Sequence, residues 1–225
     1  MVRQKKEWEE LFRKSGAIWT HDGHQARPHV VLSSGVHSDG FANCEIVMKD
    51  SGLLHEAAWD LAEALEHSGL NLEETGRVIG PAMGAVTLSS MLALTIGFRR
   101  SRSCLCGFCE KPDSTGGIAD WMAFKKPGNI KKGEVGLLTD DVFTTGRNLH
   151  MTADAVLREG GTIQEFLAVL VNRSGLTESG GRKIVSLVDI PMQTWDKTAC
   201  PLCAAGSKAI IPEAPGNWEL LTAEY

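Results

Sequence analysis

Two adjacent carboxylates, Asp140 and Asp141, close the apolar run Val135-Gly136-Leu137-Leu138-Thr139, and Val142-Phe143-Thr144-Thr145-Gly146-Arg147 follows directly. An apolar strand ending in acids sets them at the carboxyl edge of an α/β sheet, where such sheets open their ligand crevices. Paired carboxylates accept hydrogen bonds from vicinal hydroxyls. At the start of the next helix, Thr144, Thr145 and Gly146 can offer hydroxyls and bare N–H groups to a phosphate, with the helix dipole adding to the attraction. A sugar phosphate is the ligand that uses both. Singly, the acids could just end a strand and Thr144 could just cap a helix. The order of the whole run is what points to a ligand.

Three further groups suit the same ligand. Gly80-Pro81-Ala82-Met83-Gly84 lies between a short apolar strand and a helix, where its glycines would let an anion approach backbone N–H groups. A tight turn is the plain alternative. Val169-Leu170-Val171-Asn172-Arg173 carries a guanidinium to the carboxyl edge of the sheet, and a guanidinium matches a carboxylate through two parallel N–H bonds. The segment from Phe108-Cys109-Glu110-Lys111 to Phe124-Lys125-Lys126 has loop composition at 111–117 and lysines at both ends. On a closing loop these lysines would neutralise a departing anion and exclude water; otherwise they form a solvated charge cluster.

Residues 137–146 resemble the phosphoribosyl pyrophosphate (PRPP) signature of the type I phosphoribosyltransferases, and the match is complete, with Arg147 standing where that family usually has a small residue. The resemblance implies that Asp140 and Asp141 bind the ribose hydroxyls. It implies that Val142, Phe143, Thr144, Thr145, Gly146 and Arg147 wrap the 5-phosphate, and that the backbone of Ala82, Met83 and Gly84 holds pyrophosphate. The lysine that some orotate members carry in this last loop is missing here. His29-Val30-Val31-Leu32-Ser33-Ser34-Gly35-Val36-His37-Ser38 is similar to the His-Phe-x-Leu-x-Ser-Gly-x-His-Ser pattern of the orotate branch. That likeness implies a base held by Ser34 and Gly35, with Thr144 beside them; Val169-Leu170-Val171-Asn172-Arg173 resembles the branch's apolar strand followed by Asp-Arg, which implies Arg173 on the orotate carboxylate, with Asn172 replacing the usual acid.

The segment bearing Lys111 and Lys125 resembles the branch's mobile catalytic loop, so Lys111, Lys125, Asp140 and Asp141 are the expected catalytic residues. The resemblance further implies phosphoribosyl transfer from PRPP to orotate in pyrimidine biosynthesis. It implies Mg2+ shared between ligand oxygens and water, with no metal site made by protein residues, and a homodimer, because the loop often reaches into a neighbour's site. An enzyme of the family for another base and a non-catalytic PRPP-sensing regulator remain alternatives; the loop lysines favour an enzyme.

Cys200-Pro201-Leu202-Cys203 supplies half of a tetrahedral zinc site. Cys104, Cys106 and Cys109 could in principle complete it, but strand alternation sends Cys109 to the opposite face from the other two. A similar Cys-Pro-Leu-Cys occurs near the end of one group of orotate enzymes, so it supports the resemblance without implying a metal. His29 and His37, taken singly, read as turn or surface residues.

These groups need a frame. Apolar spacing predicts helices over 7–14, 52–67, 85–96 (buried) and 147–158, and strands over 29–32, 41–48, 77–79, 102–109, 135–139, 164–171 and 183–188. Strands alternating with helices indicate an α/β fold with a mostly parallel, doubly wound sheet flanked by helices. The expected organisation is one domain over 1–225, with a small hood from about 1–48 plus 189–225 on a core of about 49–188. Lys plus Arg at 23 against Asp plus Glu at 28 gives a net charge of −5, which argues against a nucleic-acid binder relying on a basic face. No stretch approaches the ~20 apolar residues of a membrane span, and residues 1–13 lack the apolar core of a signal peptide. A cytoplasmic location follows as the expectation, with the six cysteines as thiols.

Overall fold

The computed structural model describes residues 2–112, 121–126 and 130–225. In chain order, α1 (Lys5–Lys14) leads to β1 (Ile18–Thr20), β2 (His29–Val31), β3 (His37–Ser38), β4 (Gly40–Ala42) and the short α2 (Glu45–Met48). Then come α3 (Ser51–His67), β5 (Arg77–Pro81), α4 (Val86–Arg99), β6 (Leu105–Cys109), β7 (Val135–Phe143), α5 (Arg147–Arg158), β8 (Thr162–Asn172), β9 (Glu178–Ser179) and β10 (Arg182–Asp189). The chain closes with β11 (Thr194–Trp195), α6 (Pro201–Ala204), β12 (Ala209–Ile210) and α7 (Asn217–Thr222).

The main sheet has the order β6-β5-β7-β8-β10-β9, parallel throughout except for β9. This is the mostly parallel α/β sheet that the alternating elements predict. Both faces are covered, which is why its strands read as continuous apolar runs. Successive residues serve opposite cores: Val78 and Leu137 pack with Leu61, Leu92 and Trp8 on one side, while Ile79 and Leu138 pack with Leu149 and Val156 of α5 on the other. At the amino end, the Trp8 indole N–H donates to Asp60 at 2.9 Å and pins α1 onto α3.

Two small sheets stand beside the main one: β1 pairs with β4, and β11-β3-β2-β12 form a four-stranded sheet of chain-start and chain-end strands. The structure departs from the sequence expectation in these small sheets and in α4. The strand expected over 41–48 stops at Ala42, and a helical turn follows, because Cys44, Val47 and Met48 are all buried at i, i+3, i+4 spacing. Between the strands expected over 29–32 and 41–48 lies β3, and residues 18–20, outside every expected element, form β1. Finally, α4 is buried on one face only: Leu88, Leu92 and Ile96 are inside, while Leu94 and Phe98 are exposed.

Candidate active site

Asp140 and Asp141 are the sixth and seventh residues of β7, at its carboxyl end. Asp140 is buried, and Oδ1 accepts the Asp141 N–H at 3.0 Å. Burial, with the charge of Asp141 second, raises its carboxyl well above the ordinary carboxylate range. Asp141 is half-buried; its Oδ1 accepts the Val142 N–H at 2.9 Å, and its carbonyl accepts from the Cys44 thiol. Of the loop beyond, Thr144 is half-buried, and Thr145 and Arg147 are exposed. Thr145 Oγ1 accepts the Arg147 N–H at 3.4 Å.

Gly146, at the N-cap of α5, sits at φ +73, and a Cβ there would lie 2.7 Å from two carbons of the Phe143 ring. Glycine is therefore required for both backbone conformation and space. The Phe143 ring is 1% exposed, so it forms the floor under the loop; only its backbone is left for the phosphate contact that the resemblance implies.

The 80–84 loop closes on the acids. A Cβ at Gly84 would stand 3.0 Å from Asp141 Oδ1, and one at Gly80 would stand 2.5 Å from Ala85 Cβ and 2.9 Å from the Thr139 carbonyl oxygen. The strand-to-helix turn is thus pressed against β7. The Ala82 N–H donates to the Cys109 carbonyl at 2.7 Å, so of the three expected backbone donors Ala82 is already engaged. Met83 and Gly84 are exposed.

At the end of β8, Arg173 is 2% exposed, its guanidinium donates to Ser38 Oγ, and its Nε has no hydrogen-bond partner. Burial lowers its pKa to about 10, with the charge of Asp39 working the other way. A buried cation with an unused donor suits an incoming carboxylate. Asn172, where the related branch has an acid, serves the loop that follows: Nδ2 donates to the Leu176 carbonyl at 2.8 Å and to Asp189 Oδ1 at 3.1 Å, and Oδ1 accepts from Ser174.

Ser34 and Gly35 lie at the exposed tip between β2 and β3, and the Gly35 N–H already donates to the Leu32 carbonyl at 2.8 Å. The residue of this hairpin that meets Arg173 is Ser38, the last residue of the 29–38 pattern, for which the resemblance implies no role. His29 and His37, read as turn or surface residues, are 0% and 3% exposed.

Lys111 and Lys125 stand at the two ends of the expected catalytic loop; its residues 113–120 lie outside the described residues. The ends are clamped together. Glu110 and Ala123 exchange two backbone hydrogen bonds of 2.9 and 3.0 Å, Lys125 Nζ lies 3.7 Å from Glu110 Oε1, and Met122 and Phe124 anchor the returning limb in the core.

No family model matches the chain. It is 30% identical over 200 residues to the orotate phosphoribosyltransferase of Acidithiobacillus ferrooxidans, covering 89% of this chain and 95% of that protein. To the orotate phosphoribosyltransferase of Caldicellulosiruptor saccharolyticus it is 33% identical over 184 residues, 82% of this chain and 87% of that one. The crystal structure of orotate phosphoribosyltransferase from Aeropyrum pernix superposes with a TM-score of 0.57 at 27% identity, covering 80% of this chain and 92% of that one.

Proposed function

The chain belongs to the orotate phosphoribosyltransferase family, whose reaction transfers the 5-phosphoribosyl group of PRPP to orotate, and we propose how its own residues divide that work. Asp140 and Asp141 accept hydrogen bonds from the ribose 2- and 3-hydroxyls. The loop 142–147 and the N-terminus of α5 hold the 5-phosphate, and the exposed backbone of Met83 and Gly84 faces the pyrophosphate. Gly84 against the Asp141 carboxylate carries this reading, because it sets the diphosphate end of the ligand beside the hydroxyl end.

Departure of pyrophosphate leaves positive charge on the ribose ring, and the orotate nitrogen then attacks the anomeric carbon to give orotidine 5-monophosphate. Asp140 and Asp141, held close to the ring, offset that charge. Lys111 and Lys125, carried by a closing loop, neutralise the departing anion and keep water from the anomeric carbon. Arg173 pairs with the orotate carboxylate through its unpartnered Nε, and Ser38 Oγ, which accepts from Nη2, holds the guanidinium in place. Ser34 and Thr144 complete the base pocket, and Gly35 shapes the hairpin tip.

Mg2+ fits as an ion carried on the diphosphate oxygens and water, with the carboxylates of Asp140 and Asp141 as the nearby hard oxygens; it would supply further neutralisation of the leaving group. The hood comprises about 1–48 and 189–225 on a core of 49–188, and the enzyme works as a homodimer in which the loop reaches toward a neighbour. Light scattering tests the dimer. The catalytic reading is tested by orotate consumption in the presence of PRPP and Mg2+, with Asp141→Asn and Arg173→Ala as variants. Loss of PRPP binding in the first and of orotate binding in the second supports it; retention of both overturns it.

A further inference from the structure

Away from the PRPP crevice, the four-stranded sheet gathers a second set of chemistry-bearing side chains. His29 opens β2, His37 opens β3, Cys200 immediately precedes α6, and Cys203 lies within α6. The parallel pairing of β12 with β2 holds this end of the chain over the histidines. His29 Nε2 lies 3.0 Å from His37 Nδ1 and 3.5 Å from both Cys200 Sγ and Cys203 Sγ, and Cys203 Sγ lies 3.3 Å from His37 Nδ1. All four atoms fall within 4.8 Å of one another.

Those four spacings suit the edges of a small tetrahedron whose remaining two edges, from Cys200 Sγ to His37 Nδ1 and to Cys203 Sγ, are no longer than 4.8 Å. Zinc bonds of about 2.0–2.1 Å to nitrogen and about 2.3 Å to sulfur give tetrahedral edges of about 3.3 Å between nitrogens, 3.6 Å between nitrogen and sulfur, and 3.8 Å between sulfurs. The protonation pattern fits as well. Ser207 Oγ–H donates to the Arg27 carbonyl at 2.6 Å, so its oxygen accepts the His29 Nδ1–H at 2.8 Å, and the His29 lone pair on Nε2 points at the other three groups. His29, His37 and Cys200 are buried, with Cys203 toward the surface. A bare histidine pair uses two of the four groups, and a Cys200–Cys203 disulfide uses the other two. A soft-ligand cation engages all four.

We infer that His29 Nε2, His37 Nδ1, Cys200 Sγ and Cys203 Sγ bind one Zn(II) ion. With four protein ligands the shell is closed, so the ion is structural: it ties the C-terminal segment to the β2–β3 hairpin. The same hairpin presents Ser38 to Arg173. On the assignment of Arg173 to orotate made above, the zinc also steadies one wall of the base pocket.

The test is metal analysis of the full chain, purified under reducing conditions without chelators. About one zinc per chain is expected, falling to near zero in Cys200→Ser and Cys203→Ser and unchanged in Cys106→Ser. Because the cysteine variants can misfold, the wild type is also exchanged with Co(II), which should give thiolate-to-cobalt charge transfer and the intense visible bands of a tetrahedral site. The inference is overturned if reduced, folded wild type neither contains zinc nor takes up Zn(II) or Co(II). It is equally overturned by a cobalt spectrum without thiolate bands, or by a native Cys200–Cys203 disulfide. Zinc present in a chain that does not turn over orotate would keep this site and sink the catalytic reading instead.

Discussion

Gly146→Ala tests the packing beneath the phosphate loop. The new methyl meets two penalties: a left-handed φ of +73, and contact at 2.7 Å with the ring of Phe143, which is 1% exposed and has no room to turn. The conformation costs about 1–2 kcal/mol, and forcing a methyl into a packed site costs about 1–3 kcal/mol more, for a total of about 2–5 kcal/mol. Gly16→Ala is the matched control, because its φ is +76 and a Cβ there meets nothing within 4 Å. Urea unfolding should show a lower midpoint for both variants at unchanged slope, with the unfolding free energy of Gly146→Ala below that of Gly16→Ala by about 1–3 kcal/mol. Since the loop has to shift to relieve the contact, PRPP binding should weaken in Gly146→Ala alone. Equal destabilisation of the two variants, or intact PRPP affinity in Gly146→Ala, would refute the reasoning.

The carboxyl of Asp140 is raised by burial and by Asp141, so the stability linked to it is present below the ordinary carboxylate pKa and is lost as pH rises through the folded-state value. Asp140→Asn removes the charge while keeping an acceptor for the Asp141 N–H. Its melting temperature without ligand should exceed wild type at about pH 8 and converge with it near about pH 4, even as PRPP binding is lost. Asp141→Asn should weaken PRPP binding by calorimetry about 10- to 100-fold, the worth of hydrogen bonds to a charged acceptor; an unchanged constant would remove Asp141 from the ribose site. Lys125→Ala should leave unfolding within about 0.5 kcal/mol of wild type, since its pairing with Glu110 is exposed. The same variant should lower kcat at least about tenfold, and an unaltered kcat would return the lysine to the solvated surface.

The main sheet was legible because its information is local. The change from apolar run to acids to Thr-Thr-Gly marks strand, edge and helix start within a few residues, and β7 and α5 fall where that change places them. The small sheets were harder to read, because strands of two or three residues are stabilised by distant partners: β2 takes β12, and β3 takes β11. For the same reason, Cys200 and Cys203 look like half a site in the sequence. The partners that complete the group are His29 and His37, more than 160 positions away, and the sulfur-bearing strand β6 is uninvolved. Ser38 lies within the 29–38 pattern, yet its contact with Arg173 depends on how the hairpin docks on the end of β8. Phe143 shows the converse, a residue inside a ligand motif whose side chain serves the core.

On the proposed function, orotate accepts the 5-phosphoribosyl group and Arg173 recognises its carboxylate. The direct measurement is the loss of orotate absorbance with PRPP and Mg2+, followed for wild type and for Arg173→Ala over a range of orotate concentrations. Turnover by the wild type, with kcat/KM for orotate reduced at least about tenfold in the variant and PRPP affinity retained, is the predicted result. A wild type that binds PRPP without consuming orotate, or a variant with undiminished kcat/KM, would contradict the account.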